Sequence, residues 1–108
     1  MGKHFLLNLY DCSESLLDNE TFIVNLIQFS AVESGATILK TISHKFDPIG
    51  VTAICLLAES HISIHTWPED KKAACDVYTC GNTRPKLACE IIVEKLEAKN
   101  HELLYIGR

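Results

Sequence analysis

The chain has 108 residues, 47% of them hydrophobic, and a net charge of −4 at pH 7. This length suits one domain, 1–108, and the apolar content excludes a disordered chain. The acidic balance leaves no basic footprint for nucleic acid, and no apolar run reaches the length of a membrane-spanning helix. Lys3 to Tyr10 combines a basic residue with an apolar run, but it lacks the length and cleavage site of a secretory signal. The five cysteines, Cys12, Cys55, Cys75, Cys80 and Cys89, are odd in number and form no C-x-x-C pair. Neither a disulfide framework nor a cysteine zinc site is expected. Reduced, mostly buried thiols in a cytoplasmic protein are.

Residues 3–10 read as a strand. A helix follows over roughly 18–34, with Asp18 or Asn19 as cap, Glu20 in the first turn and Gly35 at the end. Phe22, Ile23, Leu26, Ile27, Phe29 and Val32 give it a broad apolar face. Residues 36–46 form a second strand, and Asp47-Pro48-Ile49-Gly50 is a turn signal. Val51 to Ala58 is almost wholly apolar, which predicts a central strand covered on both sides. Around Ile62–Thr66 the pattern alternates. His61, Ser63, His65 and Trp67 share one face, with Ile62 and Ile64 on the other. Pro68 ends this strand and 73–80 return as the next. A loop over 81–85 opens a second helix, capped by Asn82 or Thr83 and running to about Lys99, with Leu87, Ala88, Ile91, Ile92 and Leu96 as its buried stripe. Leu103 to Ile106 is the last strand.

The order β-α-β-β, β-β-α-β predicts an α+β two-layer sandwich, with a largely antiparallel sheet and both helices on one face. A homodimer packing sheet faces or edges is the simplest cover for the other face.

One stretch stands out chemically: Glu59-Ser60-His61-Ile62-Ser63-Ile64-His65-Thr66-Trp67-Pro68-Glu69, followed by Asp76-Val77-Tyr78-Thr79-Cys80-Gly81. Ser60 sits where an apolar strand meets a polar one, and a serine with a nearby base can act as a nucleophile. No G-x-S-x-G elbow is present, so an α/β-hydrolase has no support. The two clusters are expected to meet in space.

These two runs resemble the prokaryotic class of S-adenosylmethionine decarboxylase proenzymes, and the likeness extends in length and element order over nearly the whole chain. The resemblance implies that Ser60 attacks the carbonyl carbon of Glu59. The amide becomes an ester, and elimination cuts the chain into 1–59 and 60–108. A pyruvoyl group then forms from Ser60, with no metal or pyridoxal phosphate required. Such a group forms a Schiff base with the substrate amine and takes up the electrons left when CO2 departs. The resemblance also makes His65 the histidine that handles protons in processing, a role suited to imidazole. It makes Cys80 the acid that reprotonates the substrate carbon. Thr52 stands where relatives often have a serine that assists processing, and its methyl restricts the rotamer. Trp67, Glu69 and Phe46 are candidates for holding substrate, the first by packing and the second by accepting ribose hydroxyls or facing the sulfonium. Phe46 could stack on adenine. Core packing is the plainer reading for Phe46, and equally open for Trp67. His61 serves chemistry or support, and Ser63 is placed to hydrogen-bond near His65. The implied activity is decarboxylation of S-adenosylmethionine to the aminopropyl donor for spermidine, by a dimer of cleaved protomers.

Two rivals remain: the same pyruvoyl chemistry on arginine or ornithine, or a non-catalytic regulatory paralogue. A metal site from His61 and His65 is disfavoured, because same-face residues four apart on a strand lie roughly 13 Å from one another.

Overall fold

The computed structural model describes residues 1–108. Six strands form a single antiparallel sheet: β1 (Gly2–Tyr10), β2 (Ile38–Lys45), β3 (Val51–Leu57), β4 (Ser60–Trp67), β5 (Lys72–Cys80) and β6 (Asn100–Gly107). Their spatial order is β2-β3-β4-β5-β1-β6. Helices α1 (Glu14–Leu17), α2 (Glu20–Glu33) and α3 (Pro85–Lys95) connect or flank them. The α+β sandwich with an antiparallel sheet is thus observed, and α1 is a one-turn addition to the two expected helices.

Alternation decides which face is buried. Phe5, Leu7 and Leu9 of β1, Val51, Ala53, Cys55 and Leu57 of β3, Ile62 and Ile64 of β4, and Ala73, Cys75 and Val77 of β5 all face the core. Ile23, Leu26, Ile27 and Ala31 of α2 and Ala88, Cys89 and Ile92 of α3 close that core from the other side. Thr66, the buried polar residue at the end of β4, donates to the Leu17 carbonyl (2.8 Å) and accepts from the Val51 amide (2.9 Å). It thereby ties α1 to the sheet without leaving a buried polar group unpaired.

The structure resolves four expectations about elements, two of them as corrections. First, the chain itself covers one face of β3: Leu56 is half exposed, and the opposite sheet face, which the sequence reading leaves to a partner copy, carries no helix. Second, the apolar face of α2 is narrower than its sequence suggests. Phe29 and Val32 are exposed, and the Lys95 ammonium lies 5.8 Å above the Phe29 ring. Third, of the two expected caps, Asn19 caps α2 by accepting from Phe22, and Asp18 accepts from the Gly50 amide and the Lys45 ammonium. Fourth, Arg84 occupies the cap position of α3 with no side-chain cap, because the Thr83 hydroxyl donates to Thr79 instead. That helix stops at Lys95, where Glu97 adopts a left-handed φ of 57°.

Candidate active site

The polar residues singled out from the sequence lie on or beside the uncovered sheet face, in three groups. The first surrounds the start of β4. Ser60 holds φ at 147°, a region that side chains rarely enter and that costs on the order of 1–3 kcal/mol. The carbonyl oxygen of Glu59, just before it, accepts from the Cys80 amide (3.2 Å) and from the Cys80 thiol (3.4 Å). Glu59 is itself fixed, since its carboxylate accepts from the Thr37 amide at 2.9 Å. Two donors aimed at one carbonyl oxygen are the arrangement that stabilises negative charge developing on that oxygen.

The second group lies at the far end of β4. Thr52 faces His65 in the β3–β4 register, and its hydroxyl lies 3.0 Å from His65 Nδ1. The Trp67 ring centre is 6.4 Å from that of His65. Trp67 and Phe46 are each 45% exposed, so neither is a core residue, and Phe46 packs edge-on against His44 at 4.6 Å. Glu69 is exposed in the turn after β4.

The third group was not assembled from the sequence. Asp76 accepts from His4 Nε2 (3.1 Å), from His61 Nε2 (3.2 Å) and, through its other oxygen, from the Ser63 hydroxyl. Burial pushes the Asp76 carboxyl up, but the hydrogen bonds from Ser63, His4 and His61 outweigh it and hold the group below its ordinary value. Ser63 therefore serves Asp76 and makes no bond to His65. His4 is 57 residues from His61 in sequence, and only its place as a polar residue in an apolar run hinted at a role.

The two motif runs do meet in space, but only in part. Cys80 meets Glu59 and Ser60. His65 and Thr52 do not, because five strand residues separate His65 from Ser60, about 16 Å at 3.3 Å per residue. A hollow of about 370 Å³ on the open face is lined by His65, Ser63, Asp76, Ala74, Leu6 and Leu104 among others. A larger one lies on the helix side near Lys3, Arg84 and Tyr105 and contains none of the predicted residues.

The thiols divide as expected. Cys12, Cys55, Cys75 and Cys89 are buried and Cys80 is exposed, all five unpaired. Burial pushes Cys12 up to about 11 and Cys89 up to about 12, and raises Cys55 and Cys75 as well. These four stay protonated and inert. Cys80 is the one thiol that solvent or a ligand reaches.

Comparison with known proteins places this geometry in a family. The profile of the S-adenosylmethionine decarboxylase family matches residues 3–108. An S-adenosylmethionine decarboxylase proenzyme of Prochlorococcus marinus (strain MIT 9313) is 53% identical over 104 residues, covering 95% of this chain and 83% of its own. The proenzyme of Methanococcus aeolicus is 40% identical, covering 100% of this chain and 93% of its own. The crystal structure of the adenosylmethionine decarboxylase from Aquifex aeolicus VF5 superposes with a TM-score of 0.94 at 35% identity, covering 100% of this chain and 90% of that one. With sequence and fold in agreement from end to end, this chain belongs to the S-adenosylmethionine decarboxylase family.

Proposed function

We propose that the chain decarboxylates S-adenosylmethionine after cutting itself between Glu59 and Ser60, and that its product is the aminopropyl donor for spermidine. The observation that carries this reading is the Glu59 carbonyl, gripped by the Cys80 amide and thiol beside a strained Ser60. The Ser60 oxygen adds to the Glu59 carbon, and the negative oxygen is held by the two Cys80 donors. The C–N bond then breaks, leaving an ester and a free amine on residue 60. Removal of the Ser60 α-proton expels the Glu59 carboxylate. The resulting dehydroalanine tautomerises, water enters, and ammonia leaves. The ketone so made at residue 60 supplies the electron sink for the departing CO2. Cys80 stays beside that position, with its thiol proton available for the substrate carbon.

His65 reaches no Ser60 of its own chain, yet proton handling requires contact. A second copy, laid sheet face to sheet face and running the opposite way along β4, brings the partner subunit's His65 to Ser60. The open face suits such a partner: Ile42, Leu56, Trp67, Leu104 and Ile106 are between 45% and 59% exposed there. The working unit is then a homodimer with two composite sites. Trp67, Phe46 and Glu69, exposed on the His65 side, are the residues proposed to hold the adenosyl group and its cationic sulfur. Five reduced cysteines fit a cytoplasmic setting.

CO2 release from carboxyl-labelled S-adenosylmethionine, arginine and ornithine tests the substrate. Release from the first alone is expected, with Ser60→Ala both uncut and inactive. Cys80→Ala keeps the backbone donor, so it still cuts, while CO2 release falls by about 10²-fold or more. Release from arginine but not S-adenosylmethionine contradicts the substrate assignment, and full activity in Cys80→Ala contradicts the role given to the thiol.

A further inference from the structure

The Asp76 group has a geometry that its hydrogen bonds alone do not require. β5 lies between β4 and β1, and Tyr78 is the register partner of both His61 and His4. The two imidazoles therefore flank one tyrosine and both reach diagonally to the same oxygen, Asp76 Oδ2. Their ring centres lie 5.9 and 5.0 Å from that of Tyr78, which limits how the rings turn. The three donor atoms all lie within 4.8 Å of one another, and the two N···O separations are 3.1 and 3.2 Å. In a tetrahedral centre with bonds of 2.0–2.2 Å, neighbouring ligand atoms are roughly 3.3–3.6 Å apart. The third separation, between the two Nε2 atoms, is bounded only at 4.8 Å, so a bound ion would draw the two rings together and turn their nitrogens off the carboxylate oxygen, a side-chain movement with the backbone in place.

We propose that His4, His61 and Asp76 bind a divalent first-row transition ion of the zinc type, through the two Nε2 atoms and Oδ2.

The surroundings fit the ligand set. The Ser63 hydroxyl donates to the other Asp76 oxygen, so the carboxylate is oriented from behind, as metal-binding carboxylates are. In the single chain the side chains are 14% (His4), 25% (Asp76) and 36% (His61) exposed, which leaves one side open there for an ion and for water, although a partner laid on this face would cover it. Asp76 also lines the open-face hollow, which gives a path inward. Two imidazoles with one carboxylate favour zinc, cobalt or nickel over magnesium or calcium, which prefer oxygen. One group opposes binding: Arg108 Nη1 lies 3.5 Å from His4 Nδ1 and favours the proton on Nε2. That distance is long for a hydrogen bond, and Arg108 is exposed, so its release is a small rearrangement. His61 and His65 remain too far apart to share an ion. The site draws His4 from another strand instead.

Cobalt(II) titration of the full chain, read by absorption spectroscopy, tests the proposal directly, with equilibrium dialysis against zinc beside it. One ion per chain is expected, with nitrogen and oxygen ligation and no thiolate-to-metal charge-transfer band. His4→Ala and the nearly isosteric Asp76→Asn each weaken binding by about 10- to 100-fold or more, whereas His44→Ala leaves it unchanged. Failure to take up one ion, a thiolate spectrum, an Asp76→Asn chain that binds as the unmodified one does, or an equal loss in His44→Ala overturns the proposal. The spectrum of the unmodified chain reads the ligands even if His4→Ala fails to fold. The readout is metal binding and does not depend on decarboxylase activity.

Discussion

Ser60 carries a backbone conformation unlike that of the other non-glycine residues with positive φ. Asp11, Lys71 and Glu97 sit near 54–57°, the ordinary left-handed turn, but Ser60 sits at 147° at the head of a strand. The Glu-Ser-His run marked this place through its resemblance to a known family, but the φ of Ser60 is a property of the fold that the run did not announce. What the run could not tell was which donors would meet Glu59. Cys80 lies 21 residues on, and only the β4–β5 pairing places its amide and thiol on that oxygen. Asp76 is the other residue whose state is set by neighbours. Its folded carboxyl is held below the unfolded value of about 3.9 by Ser63, His4 and His61 against the opposing effect of burial. A depressed carboxyl stabilises the fold above the unfolded value, and that stability is lost as pH falls through the folded one. Asp76→Asn should therefore lower stability at neutral pH and flatten the decline below about pH 4. Denaturant melts at stepped pH measure it, and an acid limb unchanged by the substitution contradicts the assignment.

At the scale of elements, the strands were legible because a two-residue period is written plainly into β4 and β5. Ile62, Ile64, Cys75 and Val77 point one way, and His61, Ser63, His65 and Asp76 the other. Helix α1 escaped notice because four residues carry no period, and its cap, Ser13 accepting from Leu16, is a single weak cue. The apolar run of β3 suggested cover on both faces, and composition alone does not say whether that cover comes from the same chain. Ile64 is fully buried between the sheet and α2. Ile64→Ala should destabilise by about 2–5 kcal/mol, seen as a lower denaturant midpoint with an unchanged slope. A loss under about 0.5 kcal/mol, the scale of surface substitutions, would place this residue outside the core.

For the molecule as a whole, the central feature is that the two groups of candidate residues lie at opposite ends of β4. Ser60 with Cys80 lies at one end, and His65 with Thr52 at the other. Sequence proximity suggested one cluster, but an extended chain spreads five residues over about 16 Å. In the proposed dimer, two copies in opposed orientation would restore the proximity twice. Mixing tests this. Ser60→Ala and His65→Ala chains, each uncut alone, should together give cut His65→Ala chains, because that chain keeps Ser60 and borrows the imidazole of the other. Continued absence of cutting in a mixture shown to contain mixed dimers rules out the shared site.

The central claim is that the polypeptide makes its own ketone from a backbone bond. Intact mass spectrometry of the purified, aged protein addresses it most directly. Two chains are predicted, residues 1–59 ending in a free Glu59 carboxylate, and residues 60–108 lighter than their serine-ended form by the difference between serine and pyruvoyl, one ammonia. A single uncut chain that still releases CO2, or a 60–108 chain beginning with an ordinary serine, contradicts it.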